Sequence, residues 1–341
     1  MCVWSAYAGK KPAAPVLLEA LKKTEGFWAG FYTGMATCDN GQLFFEKCTG
    51  YTGIFEKEYD LKLLPGTTGI IHSRTDSGGG ANRAHPFVGT EKITALISQG
   101  TLGVFTPLCS RAAEVARRLY DDGRRLRSGS SNDGVRPNPQ FIMPDGNQVS
   151  FSDVVVNEIE REYMLHGDIV KAMRQASGFM LEESCSICIF ADKPGVIGFI
   201  NMNQRVGYSF EKDGVYMGTT MEAFPGTFME IPGNSVGYVT ADGVFHREQL
   251  CDAEINSAVP GGIITAITGY LKEHPGALLG HICDNAVRPL FVPNDLDLRT
   301  VILYRAMETM LKEGMIRFET VITPGGTGVD GRIFKWYLQD A

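Results

Sequence analysis

The strongest constraint on this chain is a succession of short apolar runs, cut by glycines, in two separate blocks. Residues 27–105 carry stretches such as "GQLFFEKCTG" and "EKITALISQG", and residues 180–248 carry "GVIGFINMNQRVGYSF", "GVYMGTTME" and "GTFMEIPGNSVGYVTADGVF". Runs this short, rich in β-branched and aromatic residues and bounded by Gly, Pro and Asn, predict strands, not long helices. Helical patterns stand outside the two blocks. "APVLLEALKKTEG" predicts an early helix, with Pro15 in its first turn, an apolar stripe of Val16, Leu17, Ala20 and Leu21, and Gly26 to close it. "SFSDVVVNEIEREYMLHGDIVKAMRQASG" predicts a mostly helical stretch capped by Ser152 or Asp153 and ended by Gly178. Strands and helices grouped in this way predict an α+β fold.

Two further segments differ in texture. Residues 106–150 hold a basic helix pattern, "SRAAEVARRLYDDGRRLRSGS", and then a Ser-, Asn-, Gly- and Pro-rich loop. This segment reads either as a solvated helix face with an exposed loop or as a lid or docking surface for something acidic. The last ninety or so residues read as a separate unit. Helical patterns at 253–273 and 298–315 precede "RFETVITPGGTGVDGRIFKWYLQ", two strands around a glycine-rich hairpin, which together suggest a winged-helix shape. From residue 253 onward there are eight basic residues against ten acidic, so the unit lacks the basic face of a DNA reader, and protein contact or dimerisation is the expected use.

Charge and length exclude other classes. Net charge is −7, which argues against broad nucleic-acid or membrane-surface binding. No apolar run approaches the roughly 20 residues that span a bilayer, and Lys10 and Lys11 follow the apolar opening instead of leading it, unlike a signal peptide. A cytoplasmic protein is the expectation. The eight cysteines then read as free thiols, mostly small buried hydrophobes. The one C-x-x-C, Cys185 and Cys188 in "ESCSICIFAD", falls on a predicted strand. Residues three apart on a strand face opposite sides, so it is not read as a metal site. No metal or cofactor is expected.

The chemistry begins at "MCVWSAYAGKKPAAP", with a cysteine directly behind Met1. If Met1 is removed, one residue carries both a thiol, with pKa near ~8.5, and an α-amine, with pKa near ~7.7–8. The amine can then take the thiol proton, so nucleophile and base are one residue. Arg74 follows an apolar strand in "GIIHSRTDSGGGANRAHPFVG", and its forked guanidinium suits the carboxylate of an amino acid. "ITALISQGTLGVF" runs into Gln99 and Gly100, an amide side chain beside a glycine N–H, which is a pair of oxyanion donors. Asp153 at a helix start is placed to hold an ammonium. His72 and His85 read as structural support.

In this order the motifs resemble the class II glutamine amidotransferases, which are N-terminal-nucleophile hydrolases, and in particular the glutaminase domain of glutamine–fructose-6-phosphate aminotransferase. "YAGKKPAAPVLLEALKKTEGFWAGFYTGMAT", "HSRTDSGG", "RAHPF", "SQGTL" and "FSD" match that family's helix and its H-T-R, A-H-P, H-N-G and S-D-T-E motifs over residues 1 to about 245. The resemblance implies a four-layer αββα sandwich in 1–248, with an insertion at about 106–150, and a winged-helix-like unit in 249–341. It implies hydrolysis of glutamine to glutamate and ammonia through a thioester on Cys2. By the same resemblance Arg74, Ser77 and Asp153 hold the substrate, and Gly100 lines the oxyanion hole. The chain departs from the family at Val3, Thr75, Asp76, Gly78 and Gln99, the last standing where the family has asparagine. Nothing after 245 resembles the sugar-phosphate isomerase domains. The ammonia acceptor is then a separate synthase partner or none, and homo-oligomerisation stays open. Two alternatives remain at this point: a degenerate amidotransferase-like binding or regulatory protein, and another N-terminal-nucleophile amidohydrolase.

Overall fold

The computed structural model describes residues 2–76, 79–100, 106–128, 142–180, 184–251, 261–291, 299–326 and 328–339. In chain order these form β1 (Val3–Gly9), α1 (Ala13–Thr24), β2 (Tyr32–Asp39), β3 (Gln42–Thr49), α2 (Thr52–Glu58), β4 (Thr68–Arg74), β5 (Phe87–Val88) and β6 (Thr94–Gly100). Helices α3 (Thr106–Asp121), α4 (Phe151–His166) and α5 (Ile169–Ser177) follow. Next come β7 (Ser184–Phe190), β8 (Val196–Asn201), β9 (Gly207–Glu211), β10 (Gly214–Gly218), β11 (Met229–Glu230), β12 (Ser235–Thr240) and β13 (Phe245–Gln249). The chain ends with α6 (Ile263–Glu273), α7 (Leu279–Ile282), α8 (Arg299–Lys312), β14 (Ile316–Pro324) and β15 (Asp330–Leu338).

The strand blocks interleave into two main sheets. One runs β11-β9-β10-β1-β4-β2-β3 and the other β13-β12-β8-β7-β6-β5; β14 and β15 form a hairpin of their own. Period-2 alternation sorts each strand's side chains between two cores. Trp4, Ala6 and Ala8 of β1 and Ile70 of β4 meet Ala95 and Ile97 of β6 and Cys185, Ile187 and Ile189 of β7 in one buried cluster. Val3 and Tyr7, on the opposite face of β1, pack with Leu17, Leu18 and Leu21 of α1. Leu96 and Cys188 turn the other way, toward Val154, Val155 and Ile159 of α4 and Met173 of α5. Cys185 and Cys188 therefore sit in different cores, as the strand reading required. Among the described residues no helix is long and apolar enough to cross a membrane.

The segment 151–178 is two helices, not one. Gly167 takes the left-handed conformation (φ 66°) that ends α4, and the Asp168 carboxylate accepts from Lys171 N at 3.0 Å to start α5. Gly178 ends α5 as expected, but Ser150 occupies the N-cap of α4, so Ser152 and Asp153 lie inside its first turn. In the basic segment, Arg118 pairs with Glu158 (2.6 Å) and Arg124 with the buried Glu160 (3.1 Å), both on α4. These arginines fasten the segment to its own chain.

The C-terminal elements share the core of α1. Ile267, Leu271, Leu303, Met307, Phe334 and Trp336 belong to the cluster that holds Leu17 and Leu21. Phe27, just past α1, stacks or edges against Tyr304, Phe334 and Trp336 with ring centroids 5.9, 5.6 and 5.1 Å away. Such aromatic pairs each add about 0.5–1.5 kcal/mol beyond their buried area. Strand β15 also bonds the loop before β2: Arg332 N donates to Gly30 O (3.0 Å) and Phe334 N to Gly26 O (2.8 Å). Only glycine fits at position 30, where φ is +108° and a Cβ would lie 1.8 Å from Arg332 O.

Candidate active site

The pairing of β1 with β4 sets the first relationship. Val3 lies opposite Ser73 and Trp4 opposite His72, so continuing the register by one residue brings Cys2 opposite Arg74. Both continue the alternation of the inter-sheet face, Cys2 after Trp4 and Arg74 after Ile70 and His72. Cys2 itself is partly exposed, at the open end of β1. Burial pushes the thiol of Cys185, on the facing sheet, up to about 12, leaving it an inert neighbour.

Arg74 is held on two sides. Its guanidinium lies 4.1 Å from the centroid of the Tyr32 ring, and Nη1 donates to Arg83 O at 2.8 Å. Burial lowers its pKa from the ordinary arginine value, with Cys2 and Tyr32 pulling the other way. A desolvated, stacked guanidinium of this kind is a strong site for a carboxylate. Ser77 lies outside the described residues.

The row beneath consists of histidines. His72 is fully buried and neither ring nitrogen has a hydrogen-bond partner among the described residues. Its ring stands 4.3 Å from that of His85, whose Nε2 shares a 2.9 Å hydrogen bond with Ser152 Oγ. Ser98 Oγ of β6 donates to the same Ser152 Oγ at 3.1 Å. Burial, followed by the Arg74 charge, drives the His72 pKa down to about 3, and burial drives that of His85 well below its usual range. Both rings are neutral and pack beneath Arg74.

This depression has a consequence for stability. The folded pKa lies below the ordinary 6.5, so the stabilisation is present above pH 6.5 and is lost as pH falls toward 3. Between pH 6.5 and pH 5, His72 alone should cost the fold about 2 kcal/mol. Urea unfolding of the native chain and of His72→Phe across that range tests this. The variant should show the shallower loss, and equal slopes would refute the assignment.

Gln99 and Gly100 end β6, with Gln99 on the inter-sheet face opposite Cys185 and Gly100 opposite Ser184. Gly100 is exposed, so its backbone can approach a ligand. The Gln99 side chain is turned to a partner absent from the sequence reading: its Nε2 donates to Gln204 Oε1 at 3.1 Å, and Gln204 N donates to Asn201 Oδ1 at 2.8 Å.

Asp153 is buried in the first turn of α4 and is engaged by its own chain. Its Oδ2 accepts from Ser128 N and Ser128 Oγ, both at 2.8 Å, and its Oδ1 from Asn157 Nδ2 at 3.0 Å. Burial raises its pKa above the usual carboxylate range, against the Ser128 bonds and the charge of Lys47. Lys47 is a second group the sequence did not single out. Its Nζ donates to Asn82 O (3.2 Å), Ala84 O (3.1 Å) and Pro86 O (3.4 Å), and burial lowers its pKa to about 8. Arg74 and Lys47 thus grip the same 82–86 loop. The strand register sets Cys2 across from Arg74, Gln99 lies on the facing strand, and Asp153 stands in a separate polar cluster with Ser128, Asn157 and Lys47. Neither Lys47 nor Gln204 carries a local motif; only the tertiary arrangement reveals them.

No family model matches the chain. Curated relatives are glutamine–fructose-6-phosphate aminotransferases. That of Pyrococcus horikoshii is 24% identical over 227 residues, 66% of this chain and 33% of the relative. That of Clostridium acetobutylicum is 25% identical over 291 residues, 82% of this chain and 43% of the relative. The chain thus spans less than half the length of either. Among solved structures, the glutamine phosphoribosylpyrophosphate amidotransferase of B. subtilis, complexed with ADP and GMP, superposes with a TM-score of 0.57 at 13% identity, covering 90% of this chain and 64% of that one. A second structure, that of the allosteric regulatory enzyme of purine biosynthesis, gives 0.57 at 14% identity, covering 90% of this chain and 63% of that one.

Proposed function

We propose that this relative of the class II glutamine amidotransferases hydrolyses the side-chain amide of glutamine, with Cys2 as the nucleophile. The observation that carries the reading is the register between β1 and β4, which continues to set Cys2 opposite the half-buried Arg74 on the face that looks toward Gln99. With Met1 removed, the α-amine of Cys2 takes the thiol proton. The sulfur attacks the amide carbon, the C–N bond breaks, and the amine returns the proton to the departing ammonia. Water then cleaves the thioester, releasing glutamate and restoring the thiol. Arg74 binds the substrate α-carboxylate. Gly100 N–H is one oxyanion donor, and Gln99 becomes the second by exchanging its bond to Gln204. Ser77 and Asp153 complete the substrate contacts, Asp153 once its bonds to Ser128 rearrange. No cofactor is needed for these steps.

The fold reading extends in the same way. The two main sheets with helices on their outer faces correspond to the αββα layers of N-terminal-nucleophile hydrolases over 1–248. Residues 249–341 are read as a winged-helix-like unit used for protein contact. The ammonia acceptor is a separate synthase partner, or ammonia is released.

One observation favours a second reading, a binding or regulatory protein with a degenerate site. The Gln99 amide and the Asp153 carboxylate both already hold partners within the chain. Intact-mass analysis with and without 6-diazo-5-oxo-norleucine, a glutamine-like electrophile, separates the two. Hydrolysis requires loss of Met1 and a single adduct on Cys2 that abolishes ammonia release. A retained Met1, no adduct and glutamine binding without turnover would replace the enzymatic reading with the binding one.

A further inference from the structure

Residues 82–86 form a strap held between two cations. Lys47 stands on β3, the edge strand of its sheet, with Gly34 of β2 opposite it. Its backbone is fixed by Tyr59, whose hydroxyl donates to Lys47 O at 3.0 Å. Its Nζ donates to Asn82 O (3.2 Å), Ala84 O (3.1 Å) and Pro86 O (3.4 Å), and lies 4.9 Å from the centroid of the Phe87 ring. An ammonium has three donors, and the strap offers it three carbonyls. The intervening carbonyl, Arg83 O, turns instead to Arg74 and accepts from its Nη1 at 2.8 Å. The strap comes this close because position 34 is glycine. A Cβ there would lie 2.1 Å from His85 O and 2.7 Å from Lys47 Cβ.

Three carbonyl oxygens drawn to one point repel one another, and a cation among them is what makes the arrangement stable. Burial lowers the Lys47 pKa to about 8, against the pull of Asp153, so the group is still an ammonium at pH 7. We propose that Lys47 is a positioning residue for recognition of the substrate α-carboxylate: by drawing Asn82, Ala84 and Pro86 together it sets Arg83 O, and Arg83 O sets the fork of Arg74. Arg83 has other anchors, with Nη2 donating to Gln148 O and its backbone N to Gly80 O, both at 3.0 Å, but neither bond engages its carbonyl. The Arg74 guanidinium is then fixed at one nitrogen by Arg83 O and across its face by the Tyr32 ring, 4.1 Å away. A fork fixed in this way loses less freedom on meeting a carboxylate than one free to rotate, so the effect falls on binding. The substrate part of this inference rests on the glutaminase reading of the site.

Lys47→Met keeps an apolar stem beside Phe87 and removes every donor. KM for glutamine should rise about tenfold while kcat stays within about threefold of native. 4-Aminobutanamide, which is glutamine without its α-carboxylate, should be hydrolysed equally slowly by the native chain and the variant. Lys47→Arg, which restores a charged donor, should recover most of the lost affinity. A second readout needs no substrate. Modification of Arg74 by phenylglyoxal, followed by peptide mass spectrometry, should be about tenfold faster in Lys47→Met than in the native chain or in Lys47→Arg. The exposed Arg111 is the internal control that should not move. Should Lys47→Met fail to fold in a thermal melt, Lys47→Gln, whose amide keeps two uncharged donors, should shift both readouts in the same direction by a smaller factor. Arg74 reactivity and a KM that match native in the variant that folds overturn the proposal, as does an equal loss on both amides. Faster Arg74 modification in a chain that never releases ammonia would keep Lys47 as the residue that sets Arg74 and discard the glutaminase reading. Unchanged modification with normal turnover would do the reverse.

Discussion

Cys2→Ala should lower ammonia release from glutamine by about 10⁴–10⁶-fold, the scale seen when a covalent nucleophile is removed from a site that retains its binding groups. The reasoning is local. Cys2 is partly exposed at a strand end, so trimming its sulfur opens no buried cavity and the fold should persist. The α-amine, Arg74 and Gly100 would remain, but no thioester can form. Thermal unfolding of the variant should match the native chain, and glutamine should still bind. A variant that keeps more than about a hundredth of the native rate would mean that another group performs the attack.

Arg74→Lys should lower kcat/KM for glutamine by about 10²-fold or more, chiefly through KM. Lysine keeps the charge but loses the two-pronged fork and the flat surface that lies on Tyr32. It also gives up the donor to Arg83 O that positions the 82–86 loop. The discriminating measurement is the substrate profile. An amide lacking the α-carboxylate should be hydrolysed equally slowly by the native and variant enzymes, because it never used the fork. If the variant instead loses activity on both substrates to the same degree, Arg74 serves the loop and not the substrate.

The two substitutions probe unequal parts of the sequence reading. The Met-Cys start and the strand leading into "HSR" identify Cys2 and Arg74 from local chemistry, and the sheet register then joins them. Gln99 and Asp153 were equally legible as residue types, but their present partners were not. Gln204 and Ser128 lie 105 and 25 residues away from them, and no periodicity encodes those meetings. The same holds for the arginines of the 106–150 segment. Their spacing suggested either a solvated face or a lid or docking surface, and Arg118 and Arg125 are indeed exposed, but the acids that pair with Arg118 and Arg124 lie on α4, 40 and 36 residues on.

What the sequence determined by itself was everything carried by short-range pattern: the two strand blocks, α1 with its apolar stripe, the terminal hairpin, and the opposite facing of Cys185 and Cys188. Each follows from a side-chain period of 2 or 3.6 and from glycines that interrupt it. What the tertiary structure alone decided was which strand ends meet. It set Cys2 across from Arg74 in the register of β1 and β4, and it tied α8 to the turn after β10 through the bond from Met221 N to Glu308. The glycine break at 167 belongs with these, because a left-handed turn inside a helical pattern is selected only when both flanking helices can bury their apolar faces on the same sheet. Register and docking are set by apolar area summed over segments far apart in the chain, a quantity that no local stretch contains.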